Sequence, residues 1–230
     1  MAFLMTTRPG AVPTLHPGDR LPRREFERRF DATPDLKRAE LIEGIVYVAS
    51  PVRHLYHGHA HSVLHAWLAF YVKETPGLDL GTESSLRTDE DNMPQPDALL
   101  RVPERHGGRS RIDDEGYLVG PPELIGEVAA SSVSYDLHQK LEVYRRSGVL
   151  EYVVHRVDDA AVDWFVLREG RYVRQEADAA GIQRSTVFPG LWLDVRALLR
   201  GDLAALCSCI ERGIADPAHA AFAARLRSRE

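Results

Sequence analysis

The chain has 230 residues, 44% hydrophobic and 27% charged, with a formal net charge of -5 and a pI of about 6.1. That length suits one well-packed α/β domain with extensions, and the acidic balance argues against holding nucleic acid by bulk electrostatics, though not against a local basic patch. No apolar run reaches the roughly 18–20 residues of a membrane helix, and MAFLMTTRPG lacks a signal peptide's apolar stretch and cleavage site. The expectation is a cytoplasmic protein without a membrane partner.

Residues 1–22 carry Pro9, Pro13, Pro17 and Pro22 with little apolar periodicity, which reads as a loosely draped lead-in. A short helix follows from about Arg24 to Phe30. AELIEGIVYVAS (39–50) reads as a hairpin turning at Glu43-Gly44, ended by Pro51. Tyr56, Ala60, Val63, Leu64, Trp67, Leu68 and Tyr71 then recur at three- and four-residue steps, the apolar stripe of a helix, which Pro76-Gly77 closes.

LDLGTESSLRT and QPDALLRV (95–102) read as strands, the Gly-, Arg- and Asp-rich stretch 103–120 as a flexible surface loop, and PPELIGEVAA (121–130) as a strand. A helix over 134–147 stops at Gly148, a natural C′ residue. VLEYVVHRV, AVDWFVLRE and RYVRQEA are β segments, the last two joined around Glu169-Gly170. STVFPGLWLDV leads to a closing strand, and helices at about 194–213 and 217–229 finish the chain. This order predicts an α/β domain with one central mixed sheet flanked by helices. The division is a lead-in (1–22), a core domain (23–200) and a helical extension (201–230).

Three residues in this frame could carry chemistry. Glu127 sits among apolar neighbours in ELIGEVAA, where an ionised carboxylate is costly unless paired, hydrogen-bonded or metal-bound. Alternation puts it on the same face as Ile125, although an edge strand showing that face to water would account for it as well. Asp97 begins an apolar strand directly after Pro96, a placement that turn chemistry also explains. If the two strands are neighbours, they offer acids near the same end, an oxygen site suited to Mg²⁺, with the Val128 backbone carbonyl as a natural third ligand.

Lys140 lies beside the packing stripe formed by Leu137, Leu141 and Tyr144, and four residues after Asp136, an ion-pair spacing. A snorkelling lysine paired with Asp136 is the plain alternative. Held near two metal-binding acids, it would orient a water or steady charge on a phosphate.

The run ELIEG, SP followed by His57, PD, PPELIGEV, S-S-x-S-x-D-x-x-x-K, Y-x-x-x-GVLEYVV and S-x-x-FPGLWLDV resembles the restriction-endonuclease family Uma-two, a branch of the PD-(D/E)XK superfamily. The resemblance spans roughly residues 36–200. It implies a restriction endonuclease-like core and phosphodiester hydrolysis dependent on Mg²⁺ or Mn²⁺, with nucleic acid, specifically DNA, as partner. Asp97 and Glu127 would be the acidic ligands. The motif's lysine would fall two residues after the glutamate, where this chain has Ala129; the resemblance implies that Lys140 replaces it from the following helix. Glu40 matches the additional acid of such folds, and His57 the family's histidine. The chain departs from the family at His155 and Val153, where the family carries aspartate and tryptophan. Cutting both strands often needs two centres, which makes a homodimer plausible.

Other chemistries fit less well. His57, His61 and His65 are spaced by four, but on a regular helix that spacing drifts about 40° per step, so the three are not expected to converge on one zinc, and His61 and His65 are expected to be solvated. That weighs against a zinc hydrolase. A nuclease fold without activity, serving as a nucleic-acid or protein binding module, remains the main alternative, favoured by the mild acidity and by Ala129. Ser131 and Ser132 lack a G-x-S-x-G context, and there is no glycine-rich phosphate loop. Cys207 and Cys209 read as small apolar helix residues. Arg87, Arg101 and Arg145 are candidates for holding phosphates.

Overall fold

The computed structural model describes residues 12–48, 54–130 and 132–228. The expectations for Pro9, Pro51, Ser131 and the side chain of Tyr56 fall outside what is described. Helix α1 (Arg23–Asp31) precedes a hairpin of β1 (Ala39–Ile42) and β2 (Ile45–Val48). Glu43 and Gly44 both have positive φ, 53° and 71°, as a two-residue turn matching the strand twist requires. The segment before α1 is less loose than its composition suggests. Leu15 is buried, and the Gly18 and Leu21 amides donate to Val46 and Gly44, so the chain is pinned along the hairpin.

A π-helical turn (His54–Gly58) runs directly into α2 (His59–Glu74). Strands β3 (Asp79–Thr82), β4 (Leu86–Arg87) and β5 (Ala98–Arg101) follow, then a 3₁₀ turn (Glu104–His106), β6 (Arg111–Ile112), β7 (Leu118–Val119) and β8 (Leu124–Ala129). The stretch expected as a flexible loop is therefore ordered: β4, β7 and β6 form a small sheet. Arg101 reaches the Ser110 carbonyl at 3.1 Å, and Glu123 accepts from the Val102 and Arg109 amides. These buried polar anchors lie far apart in sequence, which is why a reading of local composition misses them.

The connection from β8 consists of α3 (Val133–Tyr135), a second π-helical turn (Asp136–Lys140) and α4 (Leu141–Ser147), stopped by Gly148 at φ 86°. It leads to β9 (Glu151–Arg156), then β10 (Ala161–Arg168), β11 (Arg171–Gln175), β12 (Ile182–Arg184) and β13 (Trp192–Asp194). Helices α5 (Val195–Arg200), α6 (Leu203–Ile214) and α7 (Pro217–Arg227) complete the fold. The single helix expected over 194–213 is broken: Gly201 takes φ 68°, and Asp202 accepts from the Ala205 amide to start α6.

The main sheet has the order β11-β10-β9-β8-β5-β3. All pairs are antiparallel except β8–β9. A parallel pair needs a crossover, and the segment from α3 to α4 supplies it, lying over the face that carries Ile125 and Ala129. The opposite face, with Leu100, Leu124 and Val128, packs against Leu64, Trp67 and Leu68 of α2 and against Leu206, Ile210 and Phe222 of α6 and α7. Close approach is built in at Gly126, where a Cβ would stand 3.1 Å from the Leu64 side chain. A third cluster joins Phe26 of α1 to Leu15, Leu41, Val46 and Met93. Among the described residues no helix is long and apolar enough to cross a membrane.

Candidate active site

Asp97 lies one residue ahead of β5. Continuing the register in which Ala98 faces Gly126 sets it opposite Glu127 on β8. Directly opposed residues of an antiparallel pair share a face, here the one covered by the crossover. Both residues are 2% exposed. The Asp97 amide points at Glu127 Oε2 (3.4 Å), and Asp97 Oδ2 accepts from the Val128 amide (2.7 Å). It is thus the amide of Val128 that engages the site's acids.

Lys140 arrives from the crossover. Its π turn places a 3%-exposed ammonium 2.9 Å from Glu127 Oε1, 2.8 Å from Glu40 Oε1 and 3.8 Å from Asp136 Oδ1. Tyr144, one helical turn further on, donates its hydroxyl to the same Glu127 oxygen at 2.8 Å. Glu40 comes in from β1 and accepts the Gln95 amide at 2.6 Å. Asp136 accepts from Ser132 Oγ at 2.5 Å. The hairpin is held against the crossover by Tyr47, whose ring packs on Tyr135 and whose hydroxyl donates to Gln139. The structure therefore brings together Asp97, Glu127, Lys140, Glu40 and Asp136, drawn from four separate chain segments.

The charges do not balance. Four carboxylates (Glu40, Asp97, Glu127, Asp136) face two cationic side chains: the Lys140 ammonium and the Arg38 guanidinium, which donates to Asp97 Oδ1 at 2.9 Å. Burial pushes Glu127 well above the usual carboxylate range; Lys140 opposes this, while Asp97, Asp136 and Glu40 add to it. Burial likewise pushes Asp136 up to about 6 against the pull of Lys140 and Ser132. Asp97 differs. Burial alone would raise it, but His57, Lys140 and Arg38 hold it below the ordinary range. Lys140 would be lowered by burial, yet Glu127, Glu40 and Asp136 drive its affinity for the proton well up, so the ammonium stays charged. A surplus of buried negative charge built from hard oxygen donors fits a divalent cation of the Mg²⁺ type, which Asp97 and Glu127 would hold.

The histidines require a correction. His57 Nε2 lies 3.3 Å from Asp97 Oδ2, facing the site. His61 and His65, expected in solvent, are half-buried and aim Nε2 at the Asp97 carbonyl oxygen from 3.0 and 2.9 Å. The three rings line up along the π turn and α2 and meet one residue, through its carboxylate and its carbonyl. The drift argument considered convergence on one point, whereas Asp97 offers acceptors spread over its length.

The arginines expected to hold phosphates are engaged elsewhere. Arg87 pairs with Glu27, Asp113 and Glu115, Arg101 with Asp79, and Arg145 with Glu142. The arginine at the site is Arg38, which also reaches the Gln95 carbonyl and Glu83. Its signal in the sequence was alternation, since Arg38 and Glu40 are two apart at the start of a strand and so share a side. Tyr144 was legible only as a member of an apolar stripe; a hydroxyl on that stripe, buried with an acid, has to find a partner.

Comparisons with known proteins bear on the fold and the family. No curated protein matches the chain. A solved structure does: the crystal structure of a "putative nuclease belonging to DUF820" from Anabaena variabilis, at 16% identity and a TM-score of 0.57, covering 75% of this chain and 97% of that one. At that identity the likeness shows a shared fold. Residues 23–196 match the profile of the Uma2 family, described as "Putative restriction endonuclease". With the larger part of its length matched, the chain belongs to the Uma2 family.

Proposed function

We propose that this protein is a divalent-metal-dependent endonuclease that hydrolyses phosphodiester bonds of DNA, using Mg²⁺ or Mn²⁺. The observation that carries this reading is the Lys140 ammonium lying 2.9 Å from Glu127, with Asp97 facing Glu127 across β5 and β8. In this reading Asp97 and Glu127 hold the ion with the Val128 carbonyl as third ligand, while the Val128 amide orients the Asp97 carboxylate. Such an ion supplies Lewis acidity at the phosphoryl oxygens and lowers the pKa of bound water.

The chain's own groups do the remaining work. Lys140 orients the attacking water and stabilises negative charge building on the phosphate. Glu40 and Tyr144 are positioning residues: the first fixes the lysine, the second fixes the Glu127 oxygen that the lysine also uses. His57, at the edge of the site, is placed to orient Asp97. Ala129 at the motif's lysine position does not deprive the centre of an ammonium, because the crossover brings Lys140 to Glu127.

The test is cleavage of supercoiled and single-stranded DNA with Mg²⁺ or Mn²⁺ by the wild type, Asp97→Asn and Glu127→Gln, with circular dichroism confirming the fold of each. Loss of about a thousandfold or more in both variants is expected for removal of a metal ligand and its electrostatics. Folded, metal-loaded wild type that cuts neither DNA nor RNA would overturn the assignment and favour an inactive binding module.

A further inference from the structure

Asp97 also belongs to a second group of donors. Atoms of His61, Glu83 and the Asp97 carboxylate all lie within 4.8 Å of one another. Two observations mark this group as more than a chance meeting. The first is a surplus of donors. His61, His65 and Thr82 all point at the Asp97 carbonyl oxygen, from 3.0, 2.9 and 3.1 Å, although a carbonyl has only two lone pairs to offer. One imidazole is therefore in excess of what that oxygen can satisfy. The second is that a cation already bridges the two acids: Arg38 stands 2.9 Å from Glu83 and 2.9 Å from Asp97.

We propose that His61, Glu83 and the Asp97 carboxylate form a second cation site, selective for a first-row transition ion over Mg²⁺, next to the acidic centre and sharing Asp97 with it. This rests on the reading of Asp97 as a metal ligand. Selectivity follows from donor chemistry. An imidazole nitrogen suits Mn²⁺, Co²⁺, Ni²⁺ or Zn²⁺, whereas Mg²⁺ prefers an all-oxygen shell. Placement follows from the fold. The π turn before α2 and the helix itself present the histidine face to the start of β5, and Glu83 follows β3, the strand paired with β5. Arg38 occupies the two acids until the ion takes them, so binding displaces its guanidinium from between Glu83 and Asp97.

The experiment is metal binding by the full chain, using Co²⁺ and Mg²⁺ alone as probes, followed by calorimetry and by the visible ligand-field absorption of Co²⁺. Wild type is expected to take one equivalent more of Co²⁺ than of Mg²⁺. His61→Ala should weaken that additional equivalent by about tenfold or more and alter the Co²⁺ band, while Mg²⁺ binding persists. Glu83→Gln changes an exposed carboxylate and should weaken the same equivalent. Glu127→Gln should reduce Mg²⁺ binding and leave the His61-dependent Co²⁺ signal in place. The proposal is overturned if His61→Ala and Glu83→Gln keep the wild-type Co²⁺ stoichiometry and spectrum. The two readings separate cleanly. A His61-dependent Co²⁺ site in a protein that neither binds Mg²⁺ nor cuts would sink the nuclease assignment and leave this site standing.

Discussion

Replacing Lys140 with methionine keeps most of the side-chain volume and removes one charge from a buried cluster. The ammonium is 2.8 Å from Glu40 and 2.9 Å from Glu127. At an effective dielectric of about 20, each contact represents about 6 kcal/mol of raw Coulomb attraction. Most of that is offset by desolvation, and breaking a buried pair from one side costs about 3–5 kcal/mol net. The cost depends on pH. Without the ammonium, the pKa values of Glu127 and Asp136, already raised by burial, rise further above their unfolded values. The folded state then binds more protons than the unfolded one, so stability falls as pH increases. Urea unfolding of Lys140→Met without metal should show the deficit largest near pH 8 and shrinking toward pH 5. Mg²⁺ should restore part of it, because a divalent ion replaces the missing charge. Adding Glu127→Gln to Lys140→Met should recover stability and leave the protein inactive. A Lys140→Met protein within about 1 kcal/mol of wild type at pH 8 without metal would refute the account of a charge-compensating lysine.

Three further outcomes follow from groups around the site and the core. His155 is buried, its Nδ1 has no hydrogen-bond partner among the described residues, and burial lowers its pKa to about 4. The unfolded state therefore binds the extra proton between about pH 6.5 and 4, and stability should fall by up to about 3 kcal/mol as pH drops through that window. His155→Leu should flatten that decline in a urea-midpoint series, and an unchanged slope would contradict it. Tyr144→Phe removes the hydroxyl bound to Glu127 and should cost about 1.5–3 kcal/mol, the range for a hydrogen bond to a charged group, measured by chemical denaturation. Gly213→Ala would place a Cβ 2.2 Å from the Gly190 carbonyl oxygen, so α6 has to shift; a loss of about 1–3 kcal/mol should appear as a lower Tm.

Much of the fold could be read because its signals are local. The Glu43-Gly44 turn, the stripe from Ala60 to Tyr71 and the stop at Gly148 each depend on neighbours within a few residues. Glu127 stood out by burial mismatch, an acid in an apolar strand, and Asp97 as the acid that opens another. What could not be read depends on adjacency across the chain. Nothing local says that β8 pairs in parallel with β9, which obliges the intervening segment to cross the sheet and carry Lys140 over Glu127. The same blindness hid Arg38, paired with Asp97 from 59 residues away, and the histidines, whose acceptor is a backbone carbonyl and therefore leaves no mark in the residue type. Ordered structure over 103–120 was missed because its anchors, Arg101 and Glu123, lie at or beyond the ends of the segment they hold.

The π-helical turn at Asp136–Lys140 has a consequence for how this lysine can be inherited. A π turn carries one residue more than the α-helical turn it replaces, and each residue advances an α-helix by about 100°. Deleting His138, inside the π turn, would return the crossover to regular phase while keeping Asp97, Glu127, Asp136 and Lys140 in the sequence. The ammonium would then swing away from Glu127, and the family's signature residues would all still be present. On the proposed reading, activity therefore depends on helix phase as well as on residue identity, and an indel in the crossover can abolish it while Asp97, Glu127 and Lys140 all remain.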